Sequence, residues 1–248
     1  MKKGTKISIR LNPYVFLYSE AKFFLEHSSV SRDSKNVTDL IKRSKFARTS
    51  IILFQATVES ILRWLLFNGA IKGISMSLKK KIDRMDFKTR LVEITNANCK
   101  KIKVSNFQKY NHLLEMADLR NSIIHQEHLQ MQGTVETFDK VNNKIKIHLI
   151  SRSEFYTHSK LQKNVRLVDY FDAIKSNEIV DEFVDWLKIN LKRPEDFINT
   201  FSIVAHNIKS RSRKLKIGSS LQIEIKGRGE DLIDMASYWP NTKMTFRL

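Results

Sequence analysis

Residues 47–70 read Ala47-Arg48-Thr49-Ser50-Ile51-Ile52-Leu53-Phe54-Gln55-Ala56-Thr57-Val58-Glu59-Ser60-Ile61-Leu62-Arg63-Trp64-Leu65-Leu66-Phe67-Asn68-Gly69-Ala70. Ile51, Phe54, Val58, Ile61, Leu62 and Leu65 recur at steps of three and four, the spacing of one helical face. Asn68-Gly69 supplies the stop. This stretch predicts a long helix and sets the class of the fold.

The same pattern extends outward on both sides. Upstream, Ile7-Ser8-Ile9-Arg10-Leu11 alternates like a short strand, and Tyr14–Glu26 carries Val15, Phe16, Ala21, Phe24 and Leu25 at helical spacing before a polar loop over Ser28–Asn36. Downstream, Ser77–Asn98 is amphipathic through Leu78, Ile82, Met85, Leu91 and Ile94. A third helix runs from Ser105, read as an N-cap, to Ile124. Thr134–Phe138 and Lys144–Ile150 alternate around Asp139–Asn143, which predicts a β-hairpin. Val165–Leu191 reads as another long helix that ends before Pro194, with a shorter helix over Glu195–Asn207. Beyond it, Leu215/Ile217 and Leu221/Ile223/Ile225 alternate around Gly218-Ser219-Ser220, a second candidate hairpin.

Composition agrees with a mainly α fold, a helical bundle with small β-hairpin accessories. Only 7 glycines and 3 prolines occur in 248 residues, so a many-stranded sandwich or barrel is not expected. No glycine-rich phosphate loop is present, which sets aside dinucleotide and P-loop chemistry. The expected organisation is an N-terminal strand and helix over 1–45, a bundle over 46–193 with the hairpin 134–150 inserted, and a small basic α/β segment over 194–248. The single Cys99 excludes a disulfide framework and points to a reducing compartment. Without a signal-peptide pattern or an uninterrupted apolar run of bilayer length, the expectation is a cytoplasmic protein with no membrane partner. The formal net charge of +18 favours a polyanionic partner, nucleic acid first.

The most informative stretch for chemistry is Leu119-Arg120-Asn121-Ser122-Ile123-Ile124-His125-Gln126. On a helix Asn121 and His125 share a face, four residues apart, with Arg120 about 100° to one side. A guanidinium steadies a phosphate and its developing charge. An imidazole titrating near neutrality takes a proton from a 2′-hydroxyl or gives one to a leaving oxygen. An Arg-x4-His spacing alone is expected about 0.4 times by chance in this composition, and about 0.03 times with Asn directly after the Arg. The competing reading is a helix C-terminus where basic side chains complement the dipole.

Arg120-Asn121-Ser122-Ile123-Ile124-His125 resembles the Arg-x(4–6)-His signature of the HEPN superfamily (higher eukaryotes and prokaryotes nucleotide-binding), including its frequent polar second residue. Thr49–Glu59 is similar to an earlier core helix of that family, which often carries a glutamate facing the signature. The likeness covers roughly residues 46–191, with these two segments matching closely. It implies a helical bundle that commonly dimerises, with Arg120 and His125 of both chains in one cleft. Many members are metal-independent endoribonucleases of toxin–antitoxin, abortive-infection and other antiviral systems, and others bind RNA or a partner protein without cutting. Some carry a modifiable Tyr two residues past the His; Glu127 stands there in this chain, so that route of regulation is not implied.

Other groups admit two readings or only one. Glu59 either orients Arg120 or His125, or pairs locally with Arg63 in the polar stripe Gln55, Glu59, Arg63. No cysteine or acidic ligand completes a zinc set around His112, His125 and His128, so no metal or other cofactor is expected. Asp181, Glu182 and Asp185 read as a solvated helix face. Glu224-Ile225-Lys226 is similar to half of a restriction-type metal site, but the preceding alternation supplies no aspartate. The basic run Lys209, Arg211, Arg213, Lys214 and Lys216 either grips a phosphate backbone or guards a sheet edge.

The sequence therefore predicts a metal-independent endoribonuclease of a toxin–antitoxin or antiviral system, homodimeric, with RNA as substrate and an antitoxin or activating protein as further partner. Arg120, His125, Asn121 and Glu59 are its expected catalytic residues. The alternatives are a non-catalytic HEPN-like module that binds RNA or protein, and a metal-dependent nuclease using Glu224 and Lys226.

Overall fold

A computed structural model describes residues 6–29, 36–69, 74–100, 102–125, 132–139, 144–150, 153–194, 201–207 and 210–215, with the backbone alone in the strands. The chain is mainly α. In order it forms β1 (Lys6–Leu11), α1 (Pro13–Ser29), α2 (Val37–Asn68), α3 (Met76–Asp83), α4 (Phe87–Asn98), a 3-10 turn (Val104–Asn106) and α5 (Tyr110–His125). These are followed by β2 (Gln132–Asp139), β3 (Lys144–Ile150), α6 (Tyr170–Asn190), β4 (Phe201–Asn207) and β5 (Ser210–Leu215).

Helix α2 is the axis of the bundle. Ile51, Phe54, Val58, Ile61, Leu62 and Leu66 are fully buried among α1, α4, α5 and α6. Each such side chain is worth about 1.5–3 kcal/mol of transfer free energy, so this helix organises the core. By length and composition alone α2 would also cross a bilayer, but more than half of its most apolar window is buried within the bundle. It begins ten residues before the expected start because Asn36 caps it, its side chain accepting the Thr38 N–H at 2.9 Å. Its end lies hard against α4: a Cβ on Gly69 would come 2.1 Å from Asn98 Oδ1 and 2.3 Å from the Leu65 carbonyl oxygen.

Three expected boundaries move for local reasons. The helix predicted over Ser77–Asn98 is two, because Asp86 starts a new one, its carboxylate accepting the Thr89 N–H at 2.9 Å and the Thr89 hydroxyl at 2.6 Å. Ser105 does not cap α5. The 3-10 turn lets Val104 and Phe107, three apart, bury together, and Phe107 meets Phe183 and Trp186 at ring separations of 5.8 and 5.7 Å. Helix α6 starts at Tyr170 rather than Val165 because Asp169 and Asp172 form a reciprocal capping box.

Helix α1, in the segment read as an N-terminal strand and helix, packs into the bundle. Tyr14, Val15, Tyr18, Ala21 and Leu25 of α1 lie in the same core as α2, and the Ser50 hydroxyl donates to the Ala21 carbonyl at 2.8 Å. Tyr18 donates to Asp181 at 2.6 Å, so Asp181 is a clasp between α1 and α6, not part of a solvated face. Asp181 also accepts from Asn177 at 2.9 Å. Glu182 and Asp185 do keep to the surface, paired with Lys109 and Lys188.

The C-terminal expectation changes in kind. Phe201–Asn207 is not helical; it is the central strand of a sheet ordered β1-β4-β5, with Leu11 opposite Phe201 and Lys6 opposite His206 in antiparallel register. Its short apolar run fits helix or strand equally in isolation, and the distant β1 decides between them. The predicted hairpin is present as β2–β3, with an irregularity between Val135 and Thr137. The second candidate hairpin and Glu224-Ile225-Lys226 lie outside the described residues.

Two helix ends are sealed to each other. Cys99 and Leu191 form an antiparallel bridge, with Lys100 N–H on the Asn190 carbonyl and Lys192 N–H on the Asn98 carbonyl. The Lys192 ammonium donates to the Ala97 carbonyl at 2.8 Å and that of Lys100 to the Ile189 carbonyl at 3.4 Å, so each strand end caps the other's helix. Burial pushes the Cys99 thiol up to about 11, against a smaller lowering influence of Lys192.

Candidate functional site

Helix α5 is held to the core by Leu113, Met116 and Leu119, all fully buried, and this fixes the direction of the residues between and beyond them. Arg120 is half-buried, while Asn121 and His125 are exposed. The Arg120 Nη1 donates to Asn121 Oδ1 at 2.9 Å. Arg120 Nε is buried and has no acceptor among the described residues. An unsatisfied buried N–H costs about 1–3 kcal/mol, and native folds retain few such groups.

Around the helix Arg120 and His125 stand about 140° apart and about 7.5 Å along the axis. Asn121 lies between them, about 40° from His125. Its bond to Arg120 ties the guanidinium to the side chain that shares a face with His125. Within one chain, then, a cation, a polar bridge and an exposed imidazole follow one another around the last turns of α5.

Glu59 takes no part in this arrangement. Its Oε2 accepts from Arg90 Nη2 of α4 at 3.2 Å, and both side chains are largely screened from solvent. Arg63 pairs instead with Asp83 of α3 at 3.5 Å. Among the described residues its ion pair is with Arg90, not with Arg63, Arg120 or His125. The polar stripe on α2 ties that helix to α3 and α4. Gln55, one turn before Glu59, is fully buried, and neither atom of its amide has a partner among the described residues.

The basic run divides. Arg211, Arg213 and Lys214 lie on β5, an edge strand of the three-stranded sheet, whereas Lys209 and Lys216 lie outside the described residues. An edge position suits the guarding reading as well as the phosphate-gripping one.

A second polar constellation was not foreseen. Glu115 of α5 accepts the backbone N–H of Ser159 at 2.6 Å and of His158 at 3.0 Å, clamping a turn that lies before α6. Lys160 in that turn has φ of 57°, a left-handed conformation costly for a residue with a side chain, and Lys175 holds its carbonyl at 2.8 Å. The clamp sets the His158 ring 6.5 Å from that of His112. Partial burial raises the Glu115 carboxyl, but the backbone N–H groups of Ser159 and His158, the Ser159 side chain and the His158 charge together outweigh it, and the net shift is downward. Burial, then Lys109, holds the His112 imidazole below its usual value. No local sequence pattern pairs residues so far apart, and only the fold brings them together. Among the described residues no three of His, Cys, Asp or Glu gather as a metal-binding group.

Compared with protein-family models, with curated proteins and with solved structures, the chain matches none.

Proposed function

We propose that this chain is a metal-independent endoribonuclease with a HEPN-like helical bundle, acting in the cytoplasm within a toxin–antitoxin or antiviral system. The observation that carries the reading is Arg120, bonded to Asn121 through Nη1 and left with an unused buried N–H, on the helix whose last turn exposes His125. Arg120 binds the scissile phosphate and the charge that grows on it. An imidazole of His125 takes the 2′-hydroxyl proton, the 2′-oxygen bonds to phosphorus, and the bond to the 5′-oxygen breaks as that oxygen receives a proton. The products are a 2′,3′-cyclic phosphate and a 5′-hydroxyl.

One imidazole must serve as base and a second group as acid in such a step. A homodimer with α5 at its interface supplies two Arg120/His125 sets and so both roles. Glu59 is dropped from the catalytic set, since its carboxylate is engaged by Arg90.

The angular separation of Arg120 and His125 favours a second reading, a module that binds RNA without cutting it. One experiment separates the two. A mixed pool of tRNA and total RNA is incubated in EDTA with wild type or His125→Ala, and the 3′ ends are mapped. Cyclic-phosphate ends from wild type, reduced about 10²–10⁴-fold in the variant, support the ribonuclease. Binding by both proteins without cleavage supports the binding module. Equal cleavage by both overturns the role of His125.

A further inference from the structure

Helix α3 is the least embedded helix of the described chain: none of its residues is buried. Five cations follow one another through it and into α4, namely Lys79, Lys80, Lys81, Arg84 and Lys88, and none has an acidic partner among the described residues. The acids within the segment are already engaged. Asp83 pairs with Arg63, and Asp86 caps α4 with both carboxylate oxygens on Thr89.

The placement of these charges is directional. At 100° per residue, Ser77, Lys80, Lys81 and Arg84 share one sector about 100° wide, opposite Ile82, which packs against the core. Lys80, Lys81 and Arg84 are all exposed. Lys80 and Arg84 are one turn apart, about 6 Å along the axis. Like charges at this spacing repel and destabilise a helix. The dipole of α3 compensates Lys80 and Lys81 in its last turn. It does nothing for Lys88, which stands in the first turn of α4, where the dipole opposes a cation and the one nearby carboxylate, Asp86, is engaged as the N-cap.

From this we infer that the α3–α4 corner is the surface on which the protein holds the phosphate backbone of RNA, with Lys80, Lys81, Arg84 and Lys88 as its contacts. The identity of the polyanion as RNA rests on the ribonuclease reading; the location of the surface does not. An anionic membrane fits less well, because the exposed apolar side chains of α3, Met76 and Leu78, stand about 160° apart on either side of the cationic sector and form no single apolar face. Phosphate contacts of this kind carry little sequence information and much salt dependence.

The test measures binding of a fluorescent, 2′-O-methylated mixed-sequence RNA in EDTA across a salt series, so that cleavage plays no part. Wild type is compared with Lys80→Gln/Lys81→Gln/Arg84→Gln and with an equal charge loss elsewhere, Lys42→Gln/Lys45→Gln/Lys103→Gln, all three exposed in wild type. The α3 variant should bind at least tenfold more weakly at moderate salt, with the slope of log K against log salt reduced by about 2, while the control changes by less than threefold. Lys88→Gln alone should lower the slope by about 0.7. Equal losses in both triple variants would show that only net charge matters and overturn the proposal. Unchanged RNA binding alongside lost binding to phosphatidylglycerol vesicles would overturn it in favour of a membrane surface. If wild type binds RNA without cutting it, yet the α3 variant alone loses that binding, the ribonuclease reading fails and this surface stands. Circular dichroism of each variant checks that the helices persist.

Discussion

Arg120 and Asn121 adjoin in sequence and are also joined through their side chains, Nη1 to Oδ1 at 2.9 Å, on the turn of α5 that precedes His125. If this bond positions the guanidinium, Asn121→Ala should slow single-turnover RNA cleavage by about tenfold, and Asn121→Asp, which keeps an acceptor, should recover most of it. Arg120→Ala should cost about 10²–10³-fold. An Asn121→Ala enzyme at full speed would show that the bond serves no catalytic purpose.

Glu59 and Arg90 should behave as a structural pair. A double-mutant cycle with Glu59→Gln and Arg90→Gln, read by urea unfolding, should give a coupling of about 0.5–1.5 kcal/mol, between the values of exposed and buried pairs. Cleavage per folded molecule should stay within about twofold of wild type in Glu59→Gln. A large loss of rate at unchanged stability would return Glu59 to the catalytic set.

The clasp between α1 and α6 should make stability depend on pH. Burial raises the Asp181 carboxyl, the bond from Tyr18 opposing it, and burial raises Asp172 as well. A carboxyl raised on folding binds its proton more tightly in the native state. Its contribution is therefore full below the ordinary carboxylate value and is lost as pH rises through the raised one. Across that interval the melting temperature of wild type should fall relative to that of Asp181→Asn. A profile identical in the variant would mean that Asp181 titrates normally.

Gly69→Ala should destabilise the fold by about 1–3 kcal/mol, because the added Cβ meets a backbone carbonyl oxygen as well as the Asn98 side chain. Asn98→Ala relieves only one of the two contacts, so the double variant should recover part of the loss, as thermal unfolding would show.

How far the sequence reaches depends on where the deciding partner lies. Six apolar positions from Ile51 to Leu65 suffice to define α2, since their spacing is internal to the helix. The hairpin Thr134–Ile150 is equally local, its strands separated by a short polar link. Phe201–Asn207 was misread because its strand identity is supplied by β1 at the other end of the chain. The partner of Glu59 is hidden for a related reason: the cation it meets, Arg90, belongs to α4, and no spacing along the chain pairs the two. For the candidate site, the order Arg120-Asn121-His125 was legible, and so was the shared face of Asn121 and His125. The bond between Arg120 and Asn121 and the unused N–H were not, because they depend on how deeply α5 is pressed into the core.

The pairing of β1 with β4 also orders events in time. Among the described residues, β1 has no strand to pair with until Phe201–Asn207 is synthesised, long after α1 and α2 can pack. The bundle and the three-stranded sheet are thus completed at different moments of synthesis. A nascent chain stalled before residue 201 would carry α5 and its arginine but not its sheet.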